Sequence, residues 1–182
     1  MTSRNTLRNV LVLVSALALV VSLVALPAAA ERGDDSGRAS KNGMTTGEAG
    51  GAEVTVEFGR PKVKGRTIWG GLVPHGKVWR TGADEATTIT FGSDVTVEGE
   101  ALSAGTYSLF TIPGEDEWTV IFNNTAEQWG AYDYDDGEDA LRVTVEPREG
   151  EMVEEMDFAI DDGHVVLRWE EVEVPFEVSA AE

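Results

Sequence analysis

Val54, Val56 and Phe58 alternate with Thr55 and Glu57, the two-residue period of a half-buried strand. Ile89 and Phe91 alternate with Thr88 and Thr90, and Val95 and Val97 follow after a Gly92-Ser93-Asp94 turn. Further strands are predicted over 106–112, 118–123, 141–146, 156–160, 165–169 and 172–178, with 77–80 as an additional candidate. Turn residues separate the runs at Glu98-Gly99-Glu100, Pro113-Gly114-Glu115 and Asp161-Asp162-Gly163. Segments 107–112 and 118–122 carry apolar side chains at odd and even positions alike, as central strands do. No segment shows a capped, sustained period of 3.6. About nine short strands at regular spacing predict an all-β domain: a single antiparallel β-sandwich, with a closed β-barrel as the alternative.

The two ends of the chain have a different pattern. Arg4 and Arg8 precede an apolar run from Val10 to Leu26, and Ala28, Ala29 and Ala30 supply small residues at a cleavage position. This is the layout of a secretory signal peptide over 1–30, cut after Ala30. A retained anchor is the rival reading, but 17 residues is at the short limit for spanning a bilayer. Residues 31–51 hold six glycines and almost nothing large and apolar, and read as a flexible linker. The folded domain is expected over 52–178, followed by a tail over 179–182. Export, to the periplasm or beyond, is the expected destination.

Charge narrows the possible partners. Fourteen Lys and Arg stand against 33 Asp and Glu, a formal net charge of −19. Such a surface repels phosphate backbones and anionic headgroups, which excludes general nucleic-acid binding and, in the mature form, membrane adhesion. There is no cysteine, so disulfides, thiolate metal sites and thiol nucleophiles are absent. The dispersed acids suit a salt-rich habitat, where screening removes self-repulsion.

One segment runs against that charge. Residues 59–83, GRPKVKGRTIWGGLVPHGKVWRTGA, contain Arg60, Lys62, Lys64, Arg66, Lys77 and Arg80 and no acid. Trp69 and Trp79 lie within it, and no Lys or Arg follows from Thr81 to Leu141. Arginine grips carboxylate or phosphate bidentately, and tryptophan faces stack on rings. The candidate ligand-binding residues are Arg60, Arg66, Trp69, Trp79, Arg80 and Glu85. Trp129 and Tyr132 of the segment QWGAYDY are expected to complete an aromatic cleft beside them. The competing reading is structural: the tryptophans plug the core, and Arg80 closes its loop through an ion pair with Glu85.

The strings GRPKVKGRTIWGGLVPHGKVWRTGADEATTITF, AGTYSLFTIPGEDEWTVIFN and QWGAYDY resemble the domain of unknown function 2911 family, over about residues 52–178. The resemblance implies a single all-β domain behind a signal peptide and implies no activity. It also places an aromatic residue at the position of His75, which argues against an essential catalytic role for that histidine.

Other chemistry is thinly represented. His75 and His164 lack metal-ligand spacing, so no metal and no cofactor is expected. There is no G-x-S-x-G elbow. Residues 133–139 hold five acids but place glycine at the fifth position of a would-be calcium loop and Thr144 at the twelfth, which reads as a solvated turn. The expected function is therefore a binding module for a small-molecule ligand, a carbohydrate or a small organic anion. One alternative is a hydrolase of envelope or extracellular substrates using Glu85, Asp84 and His75. Another is an assembly domain that docks an acidic partner.

Overall fold

A computed structural model of the chain describes residues 32–181. The expected signal peptide lies outside them. Ten strands follow one another: β1 (Lys41–Ala49), β2 (Ala52–Arg60), β3 (Thr87–Phe91), β4 (Val95–Val97), β5 (Glu100–Leu102), β6 (Gly105–Ile112), β7 (Trp118–Asn123), β8 (Asp139–Val145), β9 (Arg148–Asp161) and β10 (His164–Ala180). They form two antiparallel sheets, ordered β1-β2-β3-β6-β7-β8 and β5-β4-β10-β9, packed as a sandwich. The only helical turn among the described residues is a 3-10 turn at Asp136–Glu138.

The period-two pattern accounts for the core. Val54, Val56 and Phe58 of β2, Ile89 and Phe91 of β3, and Val120 and Phe122 of β7 point inward. They meet Val165, Leu167, Trp169, Val174, Phe176 and Val178 of β10, all buried. Strands β6 and β7 are interior to their sheet, as their two-sided apolarity predicts. Their outward Phe110 and Ile121 form a second, small cluster with Ala86, covered by Ala131 and Tyr134 of the loop after β7. The Tyr134 hydroxyl donates to Asp139 at 2.7 Å. Burial and that bond push its pKa up to about 12. The acidic loop is thus bonded into the fold, with Asp139 also accepting from Arg142 at 2.7 Å and Asn123 at 2.8 Å.

Several elements differ from the sequence expectation. Residues 41–49, inside the span read as a linker, form edge strand β1, paired with β2 from Lys41↔Arg60 to Ala49↔Ala52. Gly50 and Gly51 close that hairpin with φ of 52° and 85°. A Cβ on Gly50 would meet the Val178 carbonyl oxygen at 2.2 Å, so the turn admits no side chain there. Glu100, read as the last residue of a turn, instead opens strand β5 over 100–102. The runs at 165–169 and 172–178 join into one strand, β10, bulged around Glu170, whose φ is 58°. Residues 77–80 form no strand; Trp79 bridges to Thr111 of β6, and the Arg80 carbonyl accepts from Thr87 N–H of β3 at 3.1 Å.

Candidate functional site

The basic segment is a long connection that leaves β2 at Arg60 and returns at Thr87. Its backbone is tied down at both ends. Met156 N–H donates to Pro61 O at 2.9 Å and Val63 N–H to Glu154 O at 2.8 Å, fixing the first turn on β9. Trp79 and Thr111 exchange reciprocal backbone bonds of 2.8 and 2.9 Å, fixing the last turn on β6. Between them Val63, Ile68 and Val73 enter the main core. The segment is therefore an ordered cap on the sandwich.

Its indoles form one cluster with β7 and β10. Trp69 lies edge-on to Trp79, Trp118 and Trp169, with ring centroids 5.8, 4.9 and 5.6 Å away. Trp79 and Trp169 stack at 5.8 Å with an interplanar angle of 20°. Edge-to-face and stacked pairs of this kind add to the burial of large apolar area.

Above Trp79 and Trp169 opens a cavity of about 340 Å³. Lys62, Lys64, Arg66 and Arg80 line it, and Asp84 is the one acid on its wall. Lys62 is 3.9 Å from Glu155. Lys64, Arg66 and Arg80 form no ion pair among the described residues, although Arg66 donates to the carbonyls of Lys62 and Val63. Arg80 Nε is buried without a hydrogen-bond partner. The backbone beside it is held in an unusual shape. Thr81 and Asp84 have φ of 53° and 62°, which is uncommon for a β-branched residue such as Thr81. The Thr81 carbonyl accepts from Thr87 Oγ1 at 2.7 Å, and its hydroxyl is 3.2 Å from Thr111 Oγ1. These bonds hold the strained turn that presents Arg80.

The chain belongs to the family described as protein of unknown function DUF2911. That family model matches residues 40–178, beginning at β1 rather than after it. No curated protein and no solved structure matches the chain.

Within this DUF2911 domain the candidate residues fall into separate groups. Arg66, Trp79 and Arg80 share the cationic cavity. Trp69 lies behind them in the indole cluster. Arg60 faces away, 4.0 Å from Asp157 and donating to Met156 O at 3.3 Å. Glu85 and Trp129 line a different cavity. Tyr132 is 84% exposed and lines neither, so Trp129 and Tyr132 do not complete the cationic cleft.

The expected Arg80–Glu85 ion pair is not formed. Glu85 is held by Arg32, at 3.2 Å, and by a bidentate contact from Arg38 whose Nη2–Oε1 distance is 2.7 Å. Both arginines come from the segment read as a linker, 47 to 53 residues away, so no local signal marked them. Burial pushes the Glu85 carboxyl up, but the Arg38 hydrogen bonds and the two guanidinium charges outweigh it and hold it below the ordinary carboxylate range. Glu85 is therefore a fixed anion, unsuited to a general acid's task. The three hydrolase candidates do not converge. Asp84 and Glu85 face different cavities, and His75 lines a third, 3.9 Å from Glu115.

Sequence reasoning missed Trp169, which β10 brings under the cavity from 89 positions beyond Arg80. Ala39 and Ser40 also reach this wall from the amino-terminal strap.

Proposed function

We propose that this DUF2911 protein is an exported binding module that holds a small organic anion, a carboxylate or phosphate on a ring-shaped body, in the cationic cavity. The observation that carries the reading is Arg80, a guanidinium on the cavity wall with a buried, unpartnered Nε and no counter-ion among the described residues. A buried polar group without a partner is costly, and an anion would supply one. Trp79 and Trp169 offer the apolar floor for the body of the ligand. The overall negative charge does not defeat this. At 0.15 M ionic strength the screening length is about 8 Å, so a bound anion feels Lys64, Arg66 and Arg80 more than distant carboxylates.

The amino-terminal pattern supports export, and the acidic remainder of the surface supports a salt-rich setting. Among the described residues no helix is long and apolar enough to cross a membrane.

The test is a thermal-shift screen at fixed salt and pH with citrate, benzoate, uronic acids and sugar phosphates. A ligand at about 100 times its Kd stabilises by roughly 2.7 kcal/mol, or about 5–10 °C in a domain of this size. Arg80→Ala is expected to erase the shift while its own melting point stays near wild type, because no ion pair is broken. An anion that stabilises Arg80→Ala as much as wild type would refute the reading.

A further inference from the structure

The outward face of the six-stranded sheet carries a buried polar row. Glu57, Thr88, Ser108 and Asn123 lie in direct register across β2, β3, β6 and β7. Their exposures are 7, 4, 0 and 0%, although each occupies the position that strand alternation assigns to solvent. The loop 124–131 lies over Thr88, Ser108 and Asn123, zipped onto the chain before β3 by Ala86 N–H donating to Gln128 O at 2.9 Å and Gly130 N–H to Asp84 O at 3.0 Å.

Between loop and sheet lies a second cavity, of about 220 Å³, lined by Thr88, Gln128, Glu85, Glu127, Arg32 and Trp129. Two of its lining residues each carry a buried polar atom without a partner: Thr88 Oγ1 and Gln128 Oε1. The Gln128 amide is oriented by its nitrogen, which donates to Thr125 O at 2.8 Å, Asn123 Oδ1 at 3.1 Å and Ser108 Oγ at 3.2 Å. Its oxygen is thus left as a fixed, free acceptor, and Thr88 adds a hydroxyl able to donate or accept. Trp129 is 54% exposed at the mouth, with Arg38 over its ring at 5.5 Å from the centroid.

We propose that this second cavity binds a neutral saccharide ring. Sugar hydroxyls both donate and accept, which matches the Gln128 acceptor and the Thr88 hydroxyl together. Arg32 and Arg38 offset the charges of Glu85 and Glu127, so no strong net charge draws an ion and the site suits an uncharged polar ligand. Its volume is below the roughly 300–1,000 Å³ of pockets for drug-sized molecules, which suits one ring. The half-exposed Trp129 indole offers that ring apolar aromatic surface at the mouth. This inference does not rest on the anion reading, because the two cavities have no lining residue in common.

The experiment is a titration of the full chain with glucose, galactose, mannose and N-acetylglucosamine, and with linear trisaccharides of each, read by melting point and tryptophan fluorescence. Thr88→Val, Trp129→Ala and Arg80→Ala are run alongside. At least one neutral sugar is expected to bind, roughly tenfold or more weaker in Thr88→Val and in Trp129→Ala, and unchanged in Arg80→Ala. Tighter binding of a trisaccharide than of its monosaccharide identifies the end of a glycan as the ligand, and equal binding identifies the free sugar; both support the site. Thr88→Val removes a hydroxyl with no protein partner, so its melting point is expected to hold. Trp129→Ala alters a side chain at the mouth and keeps the test decisive if Thr88→Val unfolds. The proposal is overturned if no neutral sugar binds at millimolar concentration, if binding survives both cavity variants, or if it is lost in Arg80→Ala.

Discussion

Arg32→Ala is expected to lower the unfolding free energy by on the order of 3 kcal/mol, measured by urea denaturation at neutral pH. The Arg32 side chain is 5% exposed and serves as the pin of the amino-terminal strap. Nη1 donates to Ala86 O at 3.0 Å, and Nη2 donates to Ala83 O at 2.8 Å and Glu85 O at 3.1 Å as well as to the Glu85 carboxylate. Nε donates to Asn42 Oδ1 at 3.3 Å, which ties the strap to β1. Truncation leaves buried carbonyls without donors, and each such loss costs about 1–3 kcal/mol. Arg38 still faces Glu85, so the carboxylate is not stranded, and the total stays below a full sum. Arg32→Lys is expected to recover less than half, since one ammonium cannot span three carbonyls that a planar fork reaches. A loss under about 1 kcal/mol would show that the strap is dispensable.

The same contact sets an acid response. The folded Glu85 carboxyl lies below its ordinary value of 4.5, so it binds protons less readily folded than unfolded. Its contribution is present above pH 4.5 and is lost as pH falls through the lower folded value. Arg32→Ala removes one of the charges that depress it, so the acid limb of stability against pH should become shallower. An unchanged acid limb would mean that Arg38 alone holds the carboxylate.

These contacts show which parts of the molecule were readable along the chain. Strands β2 and β3 were legible because their alternation reports which face is buried, and β6 and β7 because apolar residues on both faces mark strands interior to a sheet. Strand β1, KNGMTTGEA, has no apolar alternation; an edge strand buries little, and its place is set by the Gly50-Gly51 turn and by β2. Arg66, Trp79 and Arg80 were found together because one short segment carries them. Trp169, Arg32 and Arg38 were not associated with that segment, because sheet topology and the strap bring them in from far along the chain. Thr88 was legible as outward-facing, but alternation cannot report that a later loop will cover it, and the two-sided apolarity of β6 and β7 assigned no face to Ser108 or Asn123.

Trp169→Ala is expected to be the most damaging single substitution, costing roughly 3–5 kcal/mol, the range for buried aromatic truncations. Trp169 is 1% exposed and is the residue through which β10 reaches the cap. It stacks on Trp79, meets Trp69 edge-on and forms part of the cationic cavity wall. Removing it leaves a void that the flanking strand cannot easily close, because the Glu170 bulge fixes the backbone there. Trp169→Phe keeps an aromatic face and should cost less than half as much. In the proposed anion site, Trp169→Phe should also retain binding that Arg80→Ala loses, which separates the floor of the cavity from its charge. Denaturation curves for the three variants, with near-ultraviolet circular dichroism to follow the coupled indoles, provide the check. A Trp169→Ala protein within about 1 kcal/mol of wild type would mean that the cap and the sandwich are held together by the backbone bonds at Pro61, Val63 and Trp79 rather than by the indole cluster.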